Sequence, residues 1–148
     1  MLLGKIQKKG RNINDLIVGE KLTITEKIED KDLLLYLGLT NDNNPLYIQH
    51  DFASKTVYAK PIVPPIMLMG IITAAISKYL PGPGAYITKQ NISFFAPVYH
   101  YSTLKFILEV IEINVDANEV VISVTAKDEQ NNAVLAGTFY VNPPAIEQ

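Results

Sequence analysis

The feature that most constrains this chain is the run "IVPPIMLMGIITAAISKYL", Ile62 to Leu80, in which two adjacent prolines lead into a long apolar stretch. Proline has a fixed φ and no N–H, so Pro64 and Pro65 fit the start of a helix, where that N–H has no partner within the helix. From Ile66 to Ile76 apolar residues cover nearly every face, which predicts a helix lying inside something. "PGPG", Pro81 to Gly84, then stops it. The window from Ile62 to Ile76 is broken by prolines and falls short of the roughly 20 residues a membrane span needs, so a buried helix is expected and no membrane association.

From Ala85 onward the period changes to two. In "STLKFILEVIEI" Leu104, Phe106, Leu108 and Val110 alternate with Thr103, Lys105, Ile107 and Glu109, and "EVVISVTAK" and "NAVLAGTFYV" repeat the pattern around turns at "DAN" and "DEQNN". With "AYITKQNISFFAPV" before them, these segments predict an antiparallel meander of about four strands. Upstream, "GEKLTITEKIE" reads as a first strand, and "DKDLLLYLGLT" as a short helix capped by Asp30 or Asp32 and carrying Leu33, Leu34, Tyr36 and Leu37. The order predicts an α+β fold, a sheet curled round one central helix, in a single domain over residues 1–148. One helix cannot cover both faces of such a sheet, so a dimer is expected.

Composition narrows the chemistry. A net charge of -2 gives no overall field to attract nucleic acid, and the cluster Lys5, Lys8, Lys9 and Arg11 reads as a solvated arm. Cysteine is absent, and with only His50 and His100 a metal site is not expected. Chemistry must come from carboxylates, amides, hydroxyls and backbone. Leu2 and Leu3 are followed at once by Gly4 and Lys5, unlike the apolar core of a signal peptide, so a cytoplasmic location is the expectation.

One polar stretch stands out, "TNDNNPLYIQHDFA", Thr40 to Ala53. Taken alone it is a turn: Asp and Asn side chains form Asx turns and Pro supplies a fixed φ. His50, three positions beyond Tyr47, reads either as a displaced site histidine or, more simply, as a surface residue, and His100, between Tyr99 and Tyr101, as a surface or interface residue. Met67 and Met69 fit a core, and would also suit the wall of an acyl tunnel.

In order, "TNDNNPLYIQHDFA", "KPIVPPIM", "LPGPGAYI" and "PVYHYS" resemble the landmarks of the MaoC-like hot-dog hydratases and dehydratases, which include the R-specific enoyl-CoA hydratases. The likeness runs without gaps from Leu37 to about Leu104. It implies a hot-dog fold, an antiparallel sheet wrapped around one long central helix, and an acyl-CoA or acyl-carrier-protein thioester as ligand, with no cofactor and no metal. In that family an Asp and a His activate the water that adds across an enoyl thioester, and an Asn between them shapes the site. Carried over, the Asp falls on Asp42, the Asn on Asn44 and the His on Tyr47. The same resemblance places Val63, Pro64, Pro65, Ile66, Gly70 and Tyr86 along the substrate.

The departures matter chemically. Hydration needs a base to take a proton from water, an acid to deliver one to C2, and donors that stabilise the enolate oxygen. Tyrosine, with a pKa of about 10, is a poor base near neutrality, so Asp42 is left as the evident one. The family's "HGM" glycine, whose N–H reaches the thioester oxygen, is Pro65 here, and the preceding His is Pro64. These changes resemble the non-catalytic subunit of two-subunit MaoC-like dehydratases, which implies an acyl-thioester binder with a degenerate site, as homodimer or as heterodimer with a catalytic MaoC-like subunit. Two alternatives stand beside it: an active hydratase or dehydratase using Asp42, and an acyl-CoA thioesterase.

Overall fold

A computed structural model describes residues 9–145. After a short 3-10 turn (Ile13–Asp15) come β1 (Lys21–Lys27), α1 (Asp30–Thr40), α2 (Pro45–Ile48), α3 (His50–Ala53), α4 (Pro65–Lys78), β2 (Tyr86–Phe94), β3 (Thr103–Asn114), β4 (Glu119–Lys127) and β5 (Ala133–Asn142). The five strands form one antiparallel sheet in the order β1-β3-β4-β5-β2.

The core lies between this sheet and α4. Leu68, Ile72, Ala75 and Ile76 recur at helical spacing and form the buried stripe of α4. Alternate residues of the strands answer it: Phe106 pairs with Ala126 across β3 and β4, and Ile122 with Phe139 across β4 and β5, so each register brings apolar side chains to the same face. All belong to one continuous buried cluster. The expectation of a helix lying inside something holds for that stripe only. Gly70 and Ser77 are exposed and Ile66 is 52% exposed, because a single sheet can cover only one side of a helix.

The meander needs a correction. Four strands do follow α4, but only β3, β4 and β5 run as hairpin neighbours; β2 crosses to the far side of β5. The β3 edge that β2 would have used is taken by β1, with Phe106 opposite Ile24. The link between β2 and β3 is too long for a tight turn and instead lies against the segment leading to α4, through an Ile62–Tyr99 bridge and a bond from Val63 N–H to Val98 O (2.7 Å). Gly137 lets β2 lie close against β5, since a Cβ there would sit 2.2 Å from Asn91 O.

The turns form where expected. At "DEQNN" Asp128 Oδ1 accepts the N–H groups of Gln130 and Asn132, both at 2.9 Å, and Asn131 takes a left-handed φ of 64°. At the start of α1 the cap residue is Glu29, and Asp32 works from inside the helix by accepting the Glu29 N–H at 3.0 Å. Of the basic cluster, Lys5 and Lys8 lie outside the described residues. Arg11 is no solvated arm: its guanidinium pairs with Glu20, and the N–H groups of Gly10 and Arg11 bond to Pro83 O and Pro81 O, laying this segment on the "PGPG" turn. No helix among the described residues is long and apolar enough to cross a membrane.

Phe106 is 0% exposed at the centre of the cluster. Phe106→Ala is expected to cost about 3–5 kcal/mol of unfolding free energy, measured by denaturant titration, through lost burial and the cavity left behind.

Candidate active site

The polar stretch forms where α1 ends and α2 begins, and nearly every residue of it has a mechanical task. Asn41 ends α1 in the left-handed region (φ 56°, ψ 26°), with its N–H on Leu37 O at 2.8 Å. Thr40 closes a small ring, its hydroxyl donating to Tyr36 O (2.8 Å) and accepting the Asp42 N–H (3.2 Å). Asp42 Oδ1 accepts the Asn44 N–H (3.1 Å), and Asn44 Oδ1 in turn accepts the Leu46 N–H (3.0 Å), capping α2 with Pro45 at its first position. The turn expected from composition is present, and it fixes Asp42 and Asn44 side by side.

The other oxygen of Asp42 has a partner that sequence reasoning missed. Tyr36, one turn back on α1, donates its hydroxyl to Asp42 Oδ2 at 2.6 Å. This bond, followed by the Asn44 N–H, holds the Asp42 carboxyl below its ordinary range against a smaller opposing effect of burial. The Tyr36 phenol is pushed up, first by its bond to the carboxylate and then by burial, with the neighbouring Tyr47 adding to the rise. Asp42, Tyr36 and Tyr47 therefore form one half-buried cluster. The one available signal for Tyr36 was a single hydroxyl in the otherwise apolar run "LLLYLGL".

The start of α4 offers few donors. Pro64 is its cap residue and Pro65 its first residue, neither with an N–H, and Met67 N–H is drawn to Pro64 O at 3.0 Å. Ile66 is the first residue of the helix whose amide is left to bond a ligand. Two cavities flank α4. One of about 580 Å³ lies between β1, α1 and α4 and is lined by Ile24, Asp32, Leu35, Met67, Gly70 and Ile71 among others. The second, about 330 Å³, is lined by Val63, Pro65, Leu68 and the aromatic Phe94–Phe95 pair. So the residues expected along the substrate are divided: Gly70 in the first cavity, Val63 and Pro65 in the second, Pro64 buried, and Ile66 and Tyr86 (70% exposed) at the surface. Asp42, Asn44 and Tyr47 line neither of these two cavities, although Leu35 on the wall of the first is the neighbour of Tyr36.

His50 is exposed at the start of α3, as expected. His100 is half-buried rather than fully exposed. Its ring nitrogens are shut off from solvent, and burial, aided by nearby His50 and opposed by Asp30 and the Ile62 backbone, lowers its pKa. The cause is the link between β2 and β3, which lies against the segment leading to α4. Among the described residues no group of three or more His, Cys, Asp or Glu side chains is placed to hold a metal ion.

With this geometry in view, the chain was compared with known proteins. Residues 14–132 match the family described as MaoC like domain. The chain belongs to that family. It is similar to an (R)-specific enoyl-CoA hydratase of Rhodospirillum rubrum, with 34% identity over 84 residues, 57% of this chain and 58% of the relative. The match thus spans little more than half of that curated relative's length. A longer match, 29% identity over 132 residues, covers 89% of this chain and 76% of a 3-hydroxybutyryl-CoA dehydratase of Methylorubrum extorquens. Among solved structures, the unliganded R-hydratase PhaJ1 from Pseudomonas aeruginosa superimposes with a TM-score of 0.84 at 28% identity, covering 94% of this chain and 92% of that one. The hot-dog fold expected from the sequence landmarks is therefore the fold of this MaoC-like chain.

Gly70 lies in the interior of α4, yet a Cβ there would meet nothing within 4 Å. Gly70→Ala is expected to stabilise the protein by about 0.5–1 kcal/mol in denaturant unfolding, through helix propensity alone. For His100, the folded pKa lies below the ordinary 6.5, so the unfolded chain takes up the proton first as pH falls. This contribution to stability is full above that value and lost below it. His100→Phe should flatten the fall in Tm on acidification from pH 7 toward 5.

Proposed function

We propose that this MaoC-like protein binds 2-enoyl or R-3-hydroxyacyl thioesters, and that its hydro-lyase chemistry is greatly weakened, so that it serves as the acyl-binding member of a dehydratase pair. Family membership and the cavity of about 580 Å³ beside Gly70 support an acyl ligand. The observation that carries the loss of activity is the start of α4: with Pro64 and Pro65 in place, the amide that would stabilise the enolate oxygen is missing. Tyr47, where the family's histidine stands, removes a group able to work as a base near neutrality. A dimer follows from the same reading. Both edges of the sheet, β1 and β2, are open among the described residues, and a MaoC-like partner with an intact Asp and His would supply the missing chemistry.

A second reading, an active hydratase or dehydratase with Asp42 as base, Tyr47 as acid and Asn44 positioning the water, has one observation in its favour. The Asn44 N–H holds the Asp42 carboxyl in a fixed direction, and the bond from Tyr36, together with this one, lowers its pKa.

One assay separates the two. The purified protein is given crotonyl-CoA and the enoyl absorbance is followed, beside a thermal-shift titration with acyl-CoA. The binding reading expects a raised Tm and turnover about a hundredfold or more below that of an intact hydratase, the scale of one lost oxyanion donor. Full turnover that disappears in Asp42→Ala would establish the second reading instead, and absence of any thermal shift would remove the first.

A further inference from the structure

Tyr47 and Pro65 are departures visible in the sequence, but the bond between Tyr36 and Asp42 is visible only in the fold. We infer that Tyr36 weakens Asp42 as a general base, by donating its hydroxyl to one carboxylate oxygen and so stabilising the anion that would take a proton from water. This rests on the reading of an acyl-thioester protein with a quieted site, and it adds a third cause of that quiet.

Two alternatives for the bond do not fit. It is not needed to aim the carboxylate, because the Asn44 N–H holds Oδ1 at 3.1 Å and the ring through Thr40 fixes the Asp42 backbone. Nor is it a proton relay. The phenol is made less acidic by the same contact, so it is a poor source of the proton that C2 requires.

What remains is the effect on Asp42 itself. An ordinary Asp, with a pKa of 3.8, is already ionised near neutrality, so stabilising its anion further adds no active form and only subtracts basicity. In hydration the water O–H bond breaks as its proton passes to the carboxylate. The water oxygen bonds to C3, the C2=C3 electron pair moves toward the thioester oxygen, and an acid then protonates C2. The first transfer is the one that suffers when Oδ2 already accepts a bond of 2.6 Å. The titratable groups facing Asp42 are Tyr36 and, beyond it, Tyr47.

The test uses the full chain with the two visible departures reversed, Tyr47→His with Pro65→Gly, with and without Tyr36→Phe, which keeps the ring and removes the hydroxyl. Adding Tyr36→Phe is expected to raise kcat on crotonyl-CoA about tenfold with KM little changed, the scale of one hydrogen bond to a charged group. In the same variant the Asp42 titration, followed by carbon-13 NMR of the labelled carboxyl, should move up toward the ordinary carboxylate value, and the acidic limb of the kcat profile should move with it. Turnover that is unchanged or lowered by Tyr36→Phe overturns the inference, as does an Asp42 titration that stays where it was. Failure of the underlying functional reading shows elsewhere, as full turnover by the unmodified chain.

Discussion

The structure depends on the burial of one stripe of α4 against one face of the sheet. Leu68, Ile72, Ala75 and Ile76 join the alternating apolar rows of β3, β4 and β5 in one continuous buried cluster. Because α4 is apolar on almost every side but covered on only one, its free side is left to form the walls of cavities. Pro64 and Pro65 fix the point at which the helix starts, and so the place where its terminal amides face the surroundings. The same two residues that make the helix boundary sharp bring no N–H of their own to that end of the helix.

The segment between α1 and α2 shows a similar economy. Asx turns and caps consume the polar atoms of Thr40, Asp42 and Asn44, and these bonds bring a carboxylate and an amide together beside the two phenols. The turn and the proposed site share the same atoms, so a structural and a chemical reading of this segment do not compete. What decides the chemistry is which bonds the side chains have left to offer. Asp42 has both oxygens engaged, and Asn44 has spent its carbonyl on the cap of α2.

Much of this was legible in the sequence, for identifiable reasons. The proline pair, the "PGPG" stop and the change of period at Ala85 are local signals, and α4 and the strands form where those signals place them. The pairing of β2 was not legible, because alternation marks a strand without naming its neighbour; only the occupation of the β3 edge by β1 sends β2 to β5. Tyr36 escaped for a related reason. Its bond to Asp42 depends on Asn41 reversing the chain in the left-handed region, and apolar periodicity assigns Tyr36 to packing. The partial burial of His100 comes from the path of the link between β2 and β3, which no periodicity describes.

The crossover of β2 also bears on how the chain reaches its fold. As synthesis proceeds from the N-terminus, α4 and β2 emerge well before β5, the strand on which β2 must pair. Closing that contact costs the entropy of a long loop, which local hairpin formation at β3–β4 and β4–β5 does not repay until the last strand is complete. During that interval the most apolar helix of the chain and an unpaired strand are both without their covers, the kind of species that aggregates. A ribosome making this protein therefore holds a sticky intermediate until β5 is complete, and a stop before Asn142 would leave β2 with nothing complete to join.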